Sequence, residues 1–529
     1  MLKRVLADYH YYRSFWLANF KVIYLNSMQK KLQNLIEKIF GQEVEVSLIH
    51  KKGFGDLSTN VVFSIAPLIK KDPQSVAIAI KNQLADFGEI DKVEVAGGFI
   101  NLWLNGKYIV SQLKSGEGKP KIKSEKIQVE FVSANPTGPL TLGNARGAFY
   151  GDAIAKILAW AGHNVQREYL VNDTGGQVEK LGQTVLDPSK TFYSGDYIRK
   201  YQEQFKGQKK SAQKIGRITA GAIMDDFIKP ALCNAQVKFD NFKSQFELDK
   251  KYSPDDLIKK LRSQNYIQEK DGAIWFLSTK LGDDKDRVLK KKTGEWTYFS
   301  GDGLYLLDRE KRGFEKIIMI WGPDHHGYVN RVKALAVALG WKKENVSILI
   351  YQLVNLKKGD KVFRMSKRAG NAIYFDEFIK KVGLDASRYF FLEKNPGTHL
   401  EFDTSVAMKK DLTNPVYYLQ YALVRAKKII VNCASKKAQK SELTDSGREL
   451  AIKIWQIDDE LLRIAKTLEV SKIPHLTLDI CRAFHNFYEK DKVIESGIVN
   501  ETNLLVIRKF IEKLELLFDL MGISKPEKM

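Results

Sequence analysis

Cysteine and long apolar runs are what this 529-residue sequence has least of. Its three cysteines, Cys233, Cys433 and Cys481, are far apart and form no Cys-x-x-Cys pair, so neither a disulfide framework nor a four-cysteine zinc site is expected. We expect reduced, buried thiols, as in a cytoplasmic protein. No run of about 18 uncharged apolar residues occurs, so no membrane-spanning helix is predicted.

Acidic residues are outnumbered by basic ones. The 63 Asp and Glu residues stand against 85 Lys and Arg residues, which gives a formal charge of +22. This excess favours a polyanionic partner, although it does not separate nucleic acid from membrane phosphates. The 44% hydrophobic and 28% charged residues form an ordinary globular balance, which excludes disorder, collagen and coiled coil as the main state. At about 150 residues per domain, the length predicts about three domains.

The chain divides into four predicted segments. Residues 1–27 are basic and aromatic and lack the apolar core of a secretory signal, which leaves an upstream mis-start, a disordered extension and a targeting segment open. Residues 28–118 mix helical and strand-like patterns, and residues 406–529 show only helical periodicity. A lysine-rich stretch at 111–126 predicts a linker. A domain boundary within it leaves 119–405 as the middle segment.

The middle segment predicts a parallel sheet. Apolar and polar residues alternate at 127–131, a loop rich in proline and glycine follows, and then come a helix at 143–160 and a strand at 165–171. This order forms a βαβ unit with a right-handed crossover. A lysine-rich helical insertion is predicted at about 192–291, and strands resume at 316–321. The predicted fold class is α/β: a Rossmann-like parallel-sheet domain with a helical insertion, a small α+β N-terminal domain and an all-α C-terminal domain.

The glycine-rich loop after the first strand of the sheet is the first candidate site. Gly138 and Gly143 are spaced like the glycines of a P-loop, but Asn144 replaces the lysine that such a loop requires. A dinucleotide fingerprint is also missing at this turn. Gly143, Gly147 and Gly151 lie on one ridge of the following helix, which would let flat rings or backbone approach while the helix N-terminus holds an anion. Close packing of the helix on the sheet is the alternative.

A basic loop at residues 357–371 is the second candidate site. It carries six basic residues, one acid, Asp360, and the two glycines Gly359 and Gly370. A cationic loop with glycine hinges can close over a triphosphate and stabilise the charge of a departing pyrophosphate. Taken alone, such a run also fits a solvated surface.

A tyrosine and basic stripe follows in the C-terminal segment. Tyr418, Tyr421, Arg425 and Lys428 are spaced 3, 4 and 3, so they share one helix face. Residues 406–440 hold eight basic residues and one acid. Aromatic rings stack on unpaired bases while basic groups meet phosphates, so the stripe predicts recognition of an RNA loop. A core-facing tyrosine stripe is the alternative.

Matching segments along the chain resemble those of one enzyme family. Residues 134–144 (ANPTGPLTLGN) and 364–367 (RMSK) resemble the two nucleotide loops of class I aminoacyl-tRNA synthetases. From about residue 28 to residue 529, the chain is more narrowly similar to arginyl-tRNA synthetases. The further matching segments are 53–60, 98–101, 169–175, 321–328, 385–390, 414–418 and 526–529.

One departure from the family pattern lies in the first nucleotide loop. The family's two histidines, in His-x-Gly-His order, are Thr141 and Asn144 here. Histidine gives the ATP phosphates a donor that can carry positive charge, whereas threonine and asparagine donate neutral hydrogen bonds. The Thr-x-Gly-Asn order resembles that of bacterial tryptophanyl enzymes of the same class. Lys367 stands where many arginyl enzymes lack lysine, and we interpret it as compensating.

The resemblance implies roles for the other residues. The catalytic residues are Thr141, Asn144, Arg364 and Lys367. The ATP-binding residues are Pro136, Gly138, Gly143, Gly322, Asp324, Met365 and Ser366. The arginine-binding residues are Tyr298 and Asp302 at the guanidinium and Glu130, Ser133 and Asn135 at the α-amino end. The tRNA-binding residues are Phe54, Asn60, Tyr418, Tyr421, Arg425 and Lys428. Without the resemblance, Asp302 fits a turn and Tyr298 a core position.

The implied activity is ATP-dependent ligation of L-arginine to its tRNA through arginyl-adenylate. Residues 119–405 would form the catalytic domain, 28–118 a tRNA-contacting domain and 406–529 the anticodon-binding domain of a cytoplasmic monomer. ATP with Mg²⁺ is expected and zinc is not, because the adjacent His325 and His326 have no third ligand at metal spacing. A catalytically silent tRNA-binding paralogue is the alternative, and the two replaced histidines are its support. A class I ligase for another amino acid is a second alternative.

Overall fold

The computed structural model describes residues 27–50, 53–115, 122–358, 361–363 and 373–529. The chain packs as two compact units. One unit comprises residues 123–409, and the other combines the described residues of 27–122 with 410–529. None of the helices in these described ranges is long and apolar enough to cross a membrane.

The N-terminal segment is a small α+β structure. Its elements are α1 (Ser27–Phe40), β1 (Leu57–Thr59), α2 (Val62–Ile69), α3 (Pro73–Leu84), β2 (Ile90–Ala96), β3 (Phe99–Leu104) and α4 (Gly106–Ser115). The three strands form an antiparallel sheet in the order β1-β3-β2. Helix α4 overlaps the predicted linker at 111–126, and its Leu113 is buried. The linker prediction was therefore wrong for residues 111–115, because Leu113 contributes an apolar contact that the lysine content concealed.

The predicted βαβ unit is present. It consists of β4 (Lys126–Phe131), α5 (Leu142–Trp160) and β5 (Asn164–Val171). Five of the six β4 residues are buried, as expected for a parallel strand covered on both faces. Thr141 is the N-cap of α5, so the nucleotide loop leads directly from the sheet into a helix N-terminus.

The stretch that follows is more mixed than its lysine content suggested. Its elements are α6 (Gly176–Leu186), α7 (Asp196–Gln204), α8 (Ala212–Ile223), a π-helical turn (Met224–Ile228), α9 (Lys229–Asn234), β6 (Asn241–Ser244), α10 (Gln245–Lys251), α11 (Pro254–Ser263), β7 (Ile267–Lys270), β8 (Ala273–Phe276) and β9 (Arg287–Lys290). The predicted helices are confirmed, while the four strands were not predicted. Strand β6 joins the main sheet, and β7, β8 and β9 form an antiparallel sheet of their own.

The remainder of this unit completes the sheet. Its elements are α12 (Tyr298–Lys311), β10 (Lys316–Trp321), α13 (Val329–Ala338), β11 (Val346–Ile350), β12 (Val354–Lys358), β13 (Lys361–Phe363), α14 (Phe375–Val382), α15 (Leu384–Glu393), β14 (Leu400–Asp403) and α16 (Thr404–Ala407). The main sheet has the order β11-β10-β4-β5-β6, and all its pairs are parallel. Parallel strands place their carboxyl ends at one edge, where ligands of open α/β sheets bind.

The C-terminal segment is helical, as predicted. Its elements are α17 (Pro415–Cys433), β15 (Ala438–Gln439), α18 (Asp445–Trp455), α19 (Ile457–Thr467), α20 (Lys472–Lys490), β16 (Ile494–Glu495), β17 (Ile498–Asn500) and α21 (Glu501–Met521). The short strands form a small sheet that the helical periodicity did not reveal. All three cysteines are free, and the prediction of buried thiols is confirmed for Cys433 and Cys481 but wrong for Cys233, which is exposed.

Candidate functional site

The carboxyl end of β4 has an unusual backbone. Val132 and Ser133, the two residues after the strand, have φ values of +67° and +36°. This left-handed region is costly for non-glycine residues, above all for a β-branched one such as Val132. The Ser133 hydroxyl oxygen accepts a hydrogen bond from the Leu170 amide of β5 at 3.1 Å. The turn that leads to the predicted α-amino site is thus tied to the neighbouring strand.

Two of the predicted arginine-binding residues meet α6. Asn135 donates from its side-chain amide to Gln177 Oε1 at 2.8 Å and accepts from Asn172 at 2.9 Å. Tyr298, the first residue of α12, is 76% exposed, and its hydroxyl oxygen accepts from the Gly176 amide at 3.1 Å. The exposed phenol contradicts the alternative of a core position for Tyr298.

Asp302 lies one turn further along α12 and is half-buried. Burial and then the negative charge of Glu130 raise the pKa of Asp302 to about 7, and the cations Arg309 and Arg331 oppose that rise. Within the part of the chain that the structure describes, its carboxylate makes neither a hydrogen bond nor an ion pair. A carboxylate in this state is suited to an incoming cation, because a bound cation would offset its desolvation.

Glu130 is buried, one residue before the end of β4, and is already partnered. Its Oε2 accepts from Arg309 of α12 at 2.5 Å, and both side chains are nearly inaccessible to solvent. The sequence prediction named Glu130 and missed Arg309. The spacing of seven residues between Asp302 and Arg309, two turns of one helix, is the signal that could have found it.

The first nucleotide loop is held by its own capping interactions. The Asn144 Oδ1 accepts from the Thr141 amide at 3.0 Å and from the Thr141 hydroxyl at 3.2 Å. The two residues that replace the family's histidines therefore contact each other at the N-terminus of α5. Their position beside unpaired helix amides suits a phosphate.

The second nucleotide loop is only partly described. Arg364, Met365, Ser366 and Lys367 lie outside the described residues, so their predicted roles stay predictions.

The backbone that follows the second loop pairs with the first loop. Leu142 donates to the Ile373 carbonyl, Phe375 donates to the Leu140 carbonyl, both at 2.9 Å, and Thr141 forms a β-bridge with Tyr374. The two segments, more than 200 residues apart, thus meet in the described structure.

The predicted glycine ridge of α5 is filled by the protein's own rings at two of its three positions. A Cβ at Gly151 would lie 2.2 Å from the Phe131 ring, and one at Gly147 would lie 2.7 Å from the Tyr351 ring. The alternative of helix packing is therefore correct for these two glycines. Gly143 is exposed and has only the Thr141 hydroxyl near it. It is the one position of the ridge where a ligand could approach.

The other predicted ATP-binding residues lie around this loop and at the end of β10. Pro136 is buried, and Gly138 lies against Tyr197, whose hydroxyl donates to the Thr137 carbonyl at 2.8 Å. Gly322 follows β10 and faces the Tyr351 hydroxyl, while Asp324 is exposed in a 3-10 turn, Pro323–Tyr328. Among the described side chains, no three His, Cys, Asp or Glu residues group as a metal site.

The predicted tRNA-binding stripe of α17 lies against α20. Tyr418 packs on His485 with ring centroids 4.6 Å apart, and Tyr421 stacks on the same imidazole at 5.9 Å. Arg425 donates to the Tyr421 hydroxyl at 2.6 Å and to the Tyr488 hydroxyl at 3.1 Å. The sequence prediction missed His485 and Tyr488, which come from a helix more than 50 residues later.

The remaining predicted tRNA-binding residues are accessible. Lys428 is exposed at the end of the α17 stripe, and Phe54 and Asn60 are exposed on the N-terminal segment. The half-buried stripe and these exposed positions do not test the predicted roles, which stay proposals.

Comparison with known families matches most of the chain. A model described as "Arginyl tRNA synthetase N terminal domain" matches residues 26–104, one described as "tRNA synthetases class I (R), catalytic domain" matches 224–420, and one described as "DALR anticodon binding domain" matches 419–529. These matches support the predicted order of segments and leave their exact boundaries untested.

Individual relatives are similar over nearly the full length. The chain is 35% identical to an arginine–tRNA ligase of Geobacillus kaustophilus over 92% of this chain and 94% of that protein. It is 37% identical to one from Bacillus velezensis over 90% and 93%. These relatives give no support to the alternative of a catalytically silent paralogue.

Two solved structures share the fold. A putative arginyl-tRNA synthetase from Campylobacter jejuni has a TM-score of 0.72 and 31% identity, covering 80% of this chain and 100% of its own. The arginyl-tRNA synthetase of Thermus thermophilus has a TM-score of 0.77 at 19% identity, covering 95% and 99%. The second likeness concerns the fold alone.

The chain has a parallel sheet with a helix-capping loop at its carboxyl edge. The class I catalytic-domain model matches residues 224–420, a range that begins after this loop, and together with the full-length relatives it identifies the chain as a class I aminoacyl-tRNA synthetase. More narrowly, the chain belongs to the arginyl-tRNA synthetase family.

Proposed function

We propose that this chain is an arginine–tRNA ligase that uses ATP to attach L-arginine to its cognate tRNA. Family membership supports the reaction, and the observation that carries the choice of amino acid is the half-buried Asp302. Its carboxylate has no partner among the described residues, and burial raises its pKa to about 7. A planar guanidinium matches such a carboxylate in charge and geometry.

The reaction has two steps. An oxygen of the arginine carboxylate attacks the α-phosphorus of ATP, and pyrophosphate leaves. A terminal ribose hydroxyl of the tRNA then attacks the carbonyl carbon of the adenylate, and AMP leaves. No side chain needs to be covalently modified, so catalysis rests on positioning and on stabilisation of charge. The Mg²⁺ that we expect with ATP binds mainly through phosphate oxygens.

The first nucleotide loop would hold the phosphates. In our proposal, Thr141 and Asn144 present their polar groups beside the N-terminal amides of α5, and Gly143 leaves room for the nucleotide. Arg364 and Lys367 would stabilise the departing pyrophosphate, with Met365 and Ser366 beside them. The backbone pairing between residues 140–142 and 373–375 supports this proposal, because it brings the backbone that follows the second loop to the first loop.

The amino-acid pocket would lie between β4 and α12. Asp302 would bind the guanidinium, with the exposed Tyr298 hydroxyl beside it. Glu130, Ser133 and Asn135 would line the α-amino end. The common placement of these residues at the carboxyl edge of the sheet supports the assignment.

The RNA-facing residues are proposed for two segments. Tyr418, Tyr421 and Arg425 with Lys428 would contact the anticodon loop, and Phe54 with Asn60 would contact another part of the tRNA. We further propose a cytoplasmic location, to which three free cysteines are suited. We also propose that the protein is a monomer.

Aminoacylation of a cognate transcript with labelled arginine tests the proposal. We expect the wild type to charge arginine and Asp302→Ala to lower kcat/KM for arginine by about 100-fold or more, because a desolvated charge partner is lost. Glu310→Ala is the matched control: it removes an exposed carboxylate from the same helix and should leave charging unchanged. Absence of arginine charging by the wild type would refute the proposed function.

A further inference from the structure

Arg309 is a buried cation that pairs with Glu130, one of the proposed arginine-binding residues. It lies two turns after Asp302 on α12 and is 2% exposed. Its terminal nitrogen donates to Glu130 Oε2 at 2.5 Å, and Glu130 is 4% exposed. A charged pair buried this deeply is not by itself a reliable source of stability, since desolvation opposes the Coulombic attraction. Because Arg309 pairs with Glu130 and its charge also acts on Asp302, and both carboxylates are proposed to bind the substrate, it calls for a functional account.

The guanidinium of Arg309 is fixed from several sides. Its Nε donates to Gln128 Oε1 at 2.5 Å, and the Tyr305 ring lies 3.7 Å from its central carbon. Gln128 in turn donates to Glu168 at 2.6 Å, and so does the Tyr305 hydroxyl. The Arg309 guanidinium is therefore held in one orientation by Gln128 and Tyr305, and both of these side chains are fixed in turn by hydrogen bonds to Glu168.

This orientation leaves one carboxylate oxygen of Glu130 available to a ligand. Oε2 is bound by Arg309, whereas Oε1 accepts no hydrogen bond from any residue that the structure describes. The positive charge of Arg309 also balances the negative charge of Glu130. Asp302 is then left as the uncompensated carboxylate, and the other charges that act on it are those of Glu130, Arg309 and Arg331.

We propose that Arg309 is a positioning residue for amino-acid recognition, which aims Glu130 Oε1 at the substrate α-ammonium group and balances the Glu130 charge. The inference rests on the proposed function, since it assigns the α-ammonium to Glu130. A lysine could keep the charge but could not donate to Glu130 and Gln128 through one planar fork.

Calorimetric titration of the full chain with two probes tests this role. The probes are L-arginine and 5-guanidinopentanoic acid, which has the guanidinium and carboxylate but no α-ammonium. We expect the wild type to bind L-arginine about tenfold or more tightly, because a hydrogen bond to a charged group is lost in the analogue. Arg309→Met should remove about tenfold or more of the L-arginine affinity and leave affinity for the analogue within about twofold.

Four further variants complete the test. Arg309→Lys should retain part of the preference, and it covers the case in which Arg309→Met does not fold. Glu130→Gln should lose the preference for L-arginine over the analogue. The double variant Glu130→Gln/Arg309→Met should bind L-arginine as tightly as Glu130→Gln alone, because the two residues act as a unit. Lys311→Met removes a neighbouring exposed cation from α12 and should change neither affinity.

The outcomes separate the two proposals. Equal weakening of both probes by Arg309→Met would mean a structural role only and would overturn the inference, as would unchanged binding. A different outcome is that the Glu130→Gln variant keeps the preference for L-arginine over the analogue while the wild type charges tRNA with arginine. That result would overturn the assignment of Glu130, and with it the inference, but it would leave the proposed function intact. Failure of the wild type to bind L-arginine at all would overturn both.

Discussion

Asp302 titrates in the range where enzymes work. Burial raises its pKa to about 7, and the charge of Glu130 adds to the rise. Only the ionised form attracts a guanidinium, which itself stays protonated at any working pH. Arginine affinity should therefore rise with pH through 7 and level off above it. We expect the arginine KM to be about tenfold higher at pH 6 than at pH 8, since each pH unit below the pKa removes about nine-tenths of the carboxylate.

Aminoacylation rates at several arginine concentrations between pH 6 and 8 would measure this dependence. The ATP KM over the same range serves as the internal control, because Asp302 is not proposed to contact ATP. Asp302→Asn should bind arginine weakly with a flat profile. A wild-type arginine KM that does not change between pH 6 and 8 would contradict the assignment.

The sequence could name candidate pocket residues but not the residues that contact them. Asp302 and Tyr298 could be named because they match a family motif and stand at the start of one helix. The Glu130–Arg309 pair joins residues 179 positions apart. Such a contact depends on how α12 packs on the sheet, and no local pattern encodes that packing. The same reason explains why His485 was missed beside Tyr418 and Tyr421.

Helices α6 and α8 cross at two glycines. A Cβ at Gly216 would lie 1.9 Å from the Val178 carbonyl oxygen, and a Cβ at Gly182 would lie 1.8 Å from the Ala212 carbonyl oxygen. The helices therefore touch backbone to backbone. Only residues without a side chain permit this distance, because backbone atoms cannot rotate out of the way.

Gly216→Ala should force these helices apart. We expect a loss of about 1–3 kcal/mol in the free energy of unfolding, the usual cost of overpacking. Gly221, in the same helix, has nothing within 4 Å of the place where a Cβ would lie, so Gly221→Ala should be neutral or stabilising by up to about 1 kcal/mol. Urea denaturation of both variants would measure the difference in the free energy of unfolding, provided that the slope of this free energy against urea concentration is unchanged. Equal midpoints for the two variants would rule out the tight crossing.

Helices and strands were predicted correctly where the apolar pattern extended over many residues and were missed where it extended over few. Helix α5 and strands β4, β5 and β10 follow clear apolar patterns, and glycines lie just after α5 and β10, at Gly162 and Gly322. Strand β6 has four half-buried residues, two of them Asn241 and Lys243. Its strand character comes from pairing with β5, which the sequence of β6 alone does not show.

The two ends of the described chain share one compact unit. Asp56 of the N-terminal segment is 6% exposed, and Arg448 of α18 meets it with two nitrogens at 2.8 and 2.6 Å. The same carboxylate accepts from the Leu104 amide. Nearby, Tyr108 of α4 packs edge-on against Trp455 of α18. The family motif at 53–60 included Asp56 but gave no indication of its partner.

Arg448→Met should destabilise this unit. Removing the cation leaves the charge of the buried Asp56 without its ion-pair partner, so we expect a loss of about 3–5 kcal/mol in the free energy of unfolding. Lys492→Met is the matched control, because Lys492 pairs with Glu495 where both side chains are exposed, and such surface changes stay within about 0.5 kcal/mol. Thermal or urea unfolding would compare them. If Arg448→Met unfolds like the control, the pair does not hold the unit together.

The Asp56–Arg448 pair also bears on synthesis. The two residues are 392 positions apart, so at about 5–20 residues per second a ribosome needs about 20–80 s to make the second after the first. During that interval the nascent N-terminal segment has a carboxylate without its cation and a tyrosine without its tryptophan. This compact unit can therefore be completed only after translation has passed the whole parallel sheet.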